Sequence, residues 1–465
     1  MLSELINKEK RKDTSRMKRV KKLLLTILTL LFLTSLACAS PQNHPRYIFL
    51  FIGDGMGLAQ TAAAELYLNA LKHDSDPSRT TRELPVASFP VTGLMTTYSA
   101  DDYITDSAAA GTAMASGTKA ENGYFSQGKR GLLPEHFMKK GYRTAILTSV
   151  PADHATPAAF YSRSLSRKDY YNIALEMMDS PVDIIAGAYV LGNRPRTREG
   201  RPDLFQENLK RVRVSLSGKK ISWPADKETK VLLIPDEEMG QFPYAIDKPD
   251  NVMLEKAFLS IIGRLEKDSF FFVIEGGNID WACHNNDIAT VVHEVVAYNQ
   301  VIGKAVEFYR KHPGDTLILV TGDHETGGLA LGSEEAGSLF PAMIREQTAS
   351  SEMMAFETKE SRLSFEDVVK NYFGDDFYRF IVEKGNADIF RTGWEEACRG
   401  DDFSLRYTFF EGLTRLFAAR AGFSWGTGGH SGSPVPVWAM GKGSAEFTGL
   451  YDNTELYEKI LKLIP

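Results

Sequence analysis

Four continuous apolar runs of strand length punctuate the chain: Tyr47–Ile52, Thr144–Leu147, Phe270–Ile274 and Thr316–Val320. None alternates with polar residues, as a strand buried on both faces must not. Between them apolar residues recur at helical spacing, in Ala59–Leu71, Lys168–Met178, Leu254–Glu266 and Ile288–Tyr309. Buried strands alternating with helices predict an α/β fold: three layers, α/β/α, around a central, mostly parallel sheet. The stretch 333–424 breaks the rhythm, being helix-rich, charged and aromatic, and reads as a helix-rich insertion. Residues 40–332 and 425–465 then form the α/β core. Residues 193–230 are basic and punctuated by Gly and Pro, and read as a surface excursion.

The N-terminus follows a different pattern. From Met17 a basic stretch leads into an apolar run and then into Ala37-Cys38-Ala39. A run of about fifteen apolar residues with one basic flank is the layout of a secretory signal, with cleavage after Ala39. Residues 1–39 are therefore expected to be a signal peptide and the body to be periplasmic or secreted, with no stable membrane span after signal removal. A retained anchor and lipid attachment at Cys38 are the alternatives, and residues 1–16 precede a more ordinary start at Met17. This segment holds nine Lys/Arg against three Asp/Glu, so the formal net charge of −6 conceals a body near −12. So acidic a body argues against nucleic-acid binding. Three cysteines in 465 residues make no disulfide framework. There is no internal repeat, which excludes solenoids.

Chemistry begins where the apolar runs end. Gly53-Asp54-Gly55, Glu275-Gly276-Gly277 and Gly322-Asp323 each place a carboxylate directly at or after a strand. One Asp-Gly is an ordinary turn, but three share an origin, because the carboxyl ends of parallel strands lie on one edge. Three converging carboxylates must either protonate or hold cations. Histidines favour cations: His284 lies four residues after Asp280, on the same helical face. His324 adjoins Asp323, His430 sits in the loop Gly426–Gly432, and His154 follows the Thr144–Leu147 run. His and Asp without Cys suit zinc in a catalytic site. The other five histidines, His44, His73, His136, His293 and His312, have no such company and read as surface or helix-face residues. Ser107, in Thr105-Asp106-Ser107 before a run of small residues, is either a helix cap or a nucleophile at a helix N-terminus. No Gly-x-Ser-x-Gly elbow is present. A metal beside the serine would remove the need for a base residue.

IGDGMG, TDSAAAGTAMASG, HATPAAF, EGGNIDWACH, TGDHETGG and GGHSGSPVP occur in that order, and together resemble the alkaline phosphatase family. The resemblance spans Tyr47 to the C-terminus, apart from 193–230 and most of 333–424. It implies hydrolysis of phosphate monoesters through a phosphoserine at Ser107, with two Zn2+ and one Mg2+. One zinc would take Asp280, His284 and His430, and the second Asp54, Asp323 and His324. The magnesium would share Asp54 with Thr156 and Glu275. Arg167 matches the family's phosphate-gripping arginine by its distance from Thr156, with Arg163 as a rival. A homodimer is implied, and 333–424 would be a crown-like insertion at the entrance. The enteric bacterial form has Asp and Lys where this chain has His154 and Trp281, which puts His154 beside the third metal and leaves that metal's identity open. Cys283 reads as a buried thiol rather than a ligand. A phosphodiesterase of the same superfamily and a non-catalytic zinc- or phosphate-binding protein are the competing functions. A sulfatase would need a Cys/Ser-x-Pro-x-Arg context that Ser107 lacks.

Overall fold

The computed structural model describes residues 44–125, 130–206, 212–217, 220–236, 239–359, 363–399 and 402–465; the signal-like segment and Cys38 lie outside them. Residues Pro45–Ile464 form one compact unit. In chain order its strands are β1 (Tyr47–Gly53), β2 (Val91–Thr96), β3 (Arg143–Thr148), β4 (Ile184–Ala186), β5 (Arg213–Ser215), β6 (Val231–Ile234), β7 (Phe270–Gly276) and β8 (Thr316–Gly322). Four two-residue strands follow, β9 (Glu325–Thr326), β10 (Leu329–Ala330), β11 (Ser424–Trp425) and β12 (His430–Ser431), then β13 (Val435–Gly441) and β14 (Gly449–Asp452).

Ten of these build one sheet in the order β14-β2-β13-β8-β1-β7-β3-β4-β6-β5. All its pairings are parallel except those of β13, which runs antiparallel to β8 and β2. The four apolar runs are β1, β3, β7 and β8, side by side at the centre. Each is covered on both faces, which is why none alternates. Tyr47, Phe49 and Phe51 join one core, while Ile48, Leu50 and Ile52 join the other. Each such buried side chain contributes about 1.5–3 kcal/mol of hydrophobic stabilisation.

The predicted helices form at Leu58–Lys72, Tyr170–Asp179, Met253–Leu265 and Ile288–Lys311. Segment 333–424 carries the helices Ser351–Glu357, Phe365–Glu383, Ala387–Ala397 and Phe403–Arg420. Its Phe373, Phe377, Trp394, Phe410 and Phe417 are continuous with the core on one face of the sheet. The 193–230 stretch departs from a surface excursion. It supplies β5 at the sheet edge and buries Leu204, Leu216 and Ile221. The short strand is hard to see in sequence because only three residues pair. Among the described residues no helix is long and apolar enough to cross a membrane.

Candidate active site

Register brings the strand-end carboxylates together. Gly53 of β1 lies opposite Gly276 of β7 and Gly322 of β8, and Ile52 lies opposite Glu275. Asp54 and Asp323 therefore leave the sheet at one height on neighbouring strands, with Glu275 beside them. Gly55 has a left-handed backbone (φ +70°), and a Cβ there would fall 2.8 Å from Thr326 Oγ1 and 2.9 Å from Asp280 Oδ1. Glycine is required on both counts.

Asp280 and His284 sit at the two ends of one face of the short helix Asn278–His284, with Nε2 of the histidine 3.3 Å from Oδ2 of the aspartate. Cys283 points the other way, into the core, where burial pushes its thiol well up. The ribbon of β9 and β12 pairs His430 with Thr326, and the rings of His324 and His430 stack with centroids 3.6 Å apart.

Ser107 opens the helix Ser107–Ser116, every residue of which is buried. Its small side chains have a packing reason. A Cβ on Gly111 would come within 2.9 Å of the Ala159 Cβ, so the helix lies directly against the turn Ala155–Ala158, which carries Thr156 and is preceded by His154. The N-cap is Asp106, whose Oδ1 accepts from the Ala109 N–H at 2.9 Å. That frees the Ser107 hydroxyl, which is 2% exposed and lies 3.2 Å from His324 Nε2. The second oxygen of Asp106 holds Arg167 Nη1 at 2.9 Å, and Arg167 Nη2 lies 3.4 Å from His154 Nε2. Arg163 is turned to Glu135, with contacts of 2.7 and 2.8 Å.

Three groups of donor atoms lie within 4.8 Å of one another: Asp280 with His324 and His430, Asp54 with Asp323 and His324, and Asp54 with His154 and Glu275. His284 adjoins the first, its Nε2 3.2 Å from that of His430. Whether these residues fit metal ions can be tested on their own hydrogen bonds. His284 Nδ1 faces the Gly428 carbonyl and His430 Nδ1 the Thr105 carbonyl, both at 2.7 Å. A carbonyl only accepts, so each Nδ1 carries the proton and the two Nε2 lone pairs face each other. Such an arrangement needs a proton or a cation between them. A tetrahedron with bonds of about 2.0–2.1 Å has edges of about 3.3 Å. The observed edges are close to that value: 3.2 and 3.3 Å around His284, and 3.2 and 3.4 Å from His324 Nε2 to Asp323 and Asp54. Asp54 Oδ1, Asp323 Oδ2, both oxygens of Glu275 and His154 Nδ1 are buried with no hydrogen-bond partner. Thr156, the neighbouring hydroxyl, gives its proton to Asp54 Oδ2 at 3.2 Å. The donor set fits divalent cations.

Electrostatics agree. Burial, then the Asp280 charge, pushes Asp323 up to about 8, and burial pushes Glu275 up to about 7. Asp54 is raised by burial and by Asp323, Asp280 and Glu275. Burial would raise Asp280 too, but His284, His324 and His430 outweigh it and hold it low. Burial depresses His324, with His430 adding to the effect. Burial and then Arg167 bring His154 down to about 3, so it is a neutral ring. His284 is the exception: Asp280 overcomes its burial and lifts it to about 9.

Two supporting residues escaped sequence reasoning. Thr326 Oγ1 donates to Asp280 Oδ1 at 2.6 Å and lies 3.2 Å from His324 Nδ1. One hydroxyl thus touches residues of two donor groups. Its signal was the i, i+2 spacing from His324 in an extended segment, which puts both on one side. Asp106 was legible only as the residue before Ser107. Trp281 is half-buried, its ring edge-on to His154 at 5.7 Å between centroids. His44, His73, His136, His293 and His312 are in none of the three donor groups.

A parallel α/β sheet with cation-binding carboxylates at its strand ends and a serine at a helix N-terminus among them defines a metallohydrolase. Comparison with known proteins makes that specific. A sequence model of the alkaline phosphatase family matches residues 45–214 and 226–464. Alkaline phosphatase 3 of Bacillus subtilis (strain 168) is 30% identical over 440 residues, covering 91% of this chain and 90% of that protein. Alkaline phosphatase 4 of the same organism is 30% identical over 455 residues, covering 93% and 92%. The crystal structure of a cold-active alkaline phosphatase from a psychrophilic Shewanella sp. superposes with a TM-score of 0.72 at 28% identity, over 90% of this chain and all of that one. The chain belongs to the alkaline phosphatase family and is a metal-dependent phosphoric monoester hydrolase.

Proposed function

We propose that this chain hydrolyses phosphate monoesters through a phosphoserine on Ser107, with Zn2+ at two positions and Mg2+ at a third. The observation that carries the reading is the position of the Ser107 hydroxyl: buried, freed from capping by Asp106, and 3.2 Å from His324 Nε2 among the ligand groups. Asp280, His284 and His430 would hold one zinc, Asp54, Asp323 and His324 the second. Asp54, Thr156 and Glu275 would hold magnesium, with His154, whose ring nitrogen lies within 4.8 Å of Asp54 and Glu275 oxygens, adding a neutral nitrogen. When bound, these ions supply Lewis acidity, lowering the pKa of the attacking oxygens and neutralising charge on the phosphoryl group.

The chain's own residues do the rest. Ser107 Oγ gives up its proton to solvent and attacks phosphorus in line, forming the Oγ–P bond as the P–O bond to the alcohol breaks, and the leaving oxygen departs with a proton from solvent. Water then attacks the phosphoserine, breaking Oγ–P and releasing phosphate, while Ser107 Oγ takes back a proton and returns to the hydroxyl. The N-terminus of the Ser107–Ser116 helix favours the anion at its first residue. Arg167, steadied by Asp106, offers its planar fork to two phosphoryl oxygens. His154 stays neutral beside it and leaves the guanidinium as the cationic clamp.

The enzyme is proposed to act in the periplasm or outside the cell, following the signal-like residues 1–39. It is further proposed to assemble as a homodimer, with 333–424 as a crown at the entrance, a state that sedimentation would read directly. The catalytic proposal is tested by brief acid quenching with labelled phosphate. Label should be trapped on the peptide containing Thr105–Gly111, and Ser107→Ala should lose it while keeping its metals. Label on another peptide would overturn the assignment.

A further inference from the structure

The ribbon of β9 and β12 has two faces, and the one turned away from the donor groups is polar. Successive side chains of an extended chain point to opposite sides. His324, Thr326 and His430 share the face toward the donor groups, so Glu325 and Ser431, which pair across the ribbon, share the other. Glu325 is buried and, unlike Asp54 and Asp323, has donors on both oxygens. Its Oε1 accepts from Gln60 Nε2 at 2.6 Å and from the Leu329 N–H at 3.1 Å. Its Oε2 accepts from the Gly328 N–H at 3.1 Å and from the Ser431 hydroxyl.

Gln60, fully buried on the helix Leu58–Lys72, is fixed in turn. Its Oε1 accepts from the Gly57 N–H at 3.0 Å, and its Nε2 donates also to the Thr326 carbonyl at 2.8 Å. The start of that helix lies directly against Glu325, since a Cβ on Gly57 would fall 2.7 Å from Glu325 Cγ. Hydrogen bonds thus run from the helix through Gln60 and Glu325 to Ser431, the residue after His430.

His430 needs such support more than His324 does. His324 follows β8 by two residues, and β8 is paired on both sides, with β1 and β13. His430 lies on a strand of two residues, with Gly426, Gly428, Gly429 and Gly432 around it. Glycine has the most backbone freedom to lose on ordering. The Thr105 carbonyl holds the His430 ring at 2.7 Å, and the Ser431–Glu325 bond ties the other side of the same strand to the helix.

We infer that Gln60, Glu325 and Ser431 are positioning residues for His430, keeping its Nε2 3.2 Å from that of His284, the spacing one ion requires. The inference rests on the two-zinc reading above and assigns the three residues to the ion of Asp280, His284 and His430. Asp54 and Asp323 leave central strands directly and do not depend on the ribbon.

The test follows zinc release from the loaded full chain into excess chelator. The wild type should give up two zinc ions slowly. Ser431→Ala and Gln60→Leu should release one of them about tenfold faster and the other at the wild-type rate. Ser431→Thr, which keeps the hydroxyl, should restore slow release. In a His430→Ala background, where the ligand itself is gone, Ser431→Ala should add nothing. Ser350→Ala removes a buried hydroxyl that caps the helix Ser351–Glu357, and should lower the melting temperature while leaving both release rates unchanged. Wild-type release from both Ser431→Ala and Gln60→Leu would overturn the inference, as would equal acceleration of the two ions or the same acceleration in Ser350→Ala. A wild type holding fewer than two zinc ions would overturn the two-zinc reading itself, and the positioning role with it.

Discussion

Two sets of buried carboxylates stand in this molecule, and they are treated in opposite ways. Asp287, at the start of the Ile288–Lys311 helix, is almost inaccessible, yet both its oxygens are filled. Oδ1 accepts from the Thr290 N–H and from Gln347 Nε2, and Oδ2 from Thr290 Oγ1 and the Ser351 N–H. Asp153 likewise accepts from the Leu191 and Gly192 N–H groups, both at 2.7 Å. Asp54, Glu275 and Asp323 are buried as deeply, but oxygens of all three face one another without donors. Burial alone therefore does not mark a ligand. A carboxylate that the protein has declined to satisfy does, because a buried unpaired charge is otherwise prohibitive. Burial pushes Asp153 up to about 6 even with its two donors, whereas Asp323, among like charges, goes up to about 8.

Paired substitutions break or sharpen this contrast. Asp323→Ala should lose metal and lower kcat/KM by about three orders of magnitude or more, while the metal-free fold keeps its melting temperature or gains, since repulsion is relieved. Asp287→Ala should do the reverse: it strands four donors, costs on the order of 3 kcal/mol in unfolding free energy, and leaves metal content at the wild-type value. Calorimetry beside metal analysis reads both. If Asp287→Ala also emptied the metal sites, the two classes would not be distinct.

A smaller effect is expected at Arg167. A monoester dianion offers one more charged oxygen than a diester, so a forked contact is worth more to it. Arg167→Ala should cost about 1.5–3 kcal/mol, roughly ten- to a hundredfold in kcat/KM for aryl monoesters, and clearly less for diesters. Arg163→Ala, which removes the contact with Glu135, should change either rate little. Equal losses on monoester and diester would remove the clamp from the account.

The smallest is at Thr326. Thr326→Val deletes the donor to Asp280 and leaves His324 Nδ1 unsupported, so chelator competition should show zinc held about tenfold more weakly. Thr326→Ser should restore the affinity. Wild-type affinity in the valine variant would make the hydroxyl a packing detail.

Much of this was legible in sequence for a physical reason. β1, β3, β7 and β8 are buried on both faces, so their apolar runs are unbroken, and Asp54, Glu275 and Asp323 stand out at their ends. Some of the outer strands were not legible. β5 and β4 have three residues each, too few for any period. Within the site, the histidines announced themselves by company and spacing. Asp106 and Thr326 did not, because a cap and a bridging hydroxyl are defined by what folds against them from remote parts of the chain.

The central claim is that cations, not protons, complete the strand-end cluster. In the metal-free protein Glu275 and Asp323 hold protons up to about 7 and 8, and His284 up to about 9, well above their unfolded values. Raised values contribute stability that is present below the unfolded pKa and lost as pH rises through the folded one. His154 and His324, depressed by burial, are neutral in both states above about pH 6.5 and drop out. Groups elsewhere, such as Glu294, pushed up to about 7 by burial, titrate in both preparations and cancel in the difference. The decisive measurement is thus melting temperature and aryl phosphatase activity, from pH 6.5 to 9, of chelator-stripped protein and of the same protein reloaded with zinc and magnesium. The stripped protein should be inactive, and the gap in melting temperature should widen steadily with pH. Full activity after stripping, or a gap that stays flat across that range, would contradict the account.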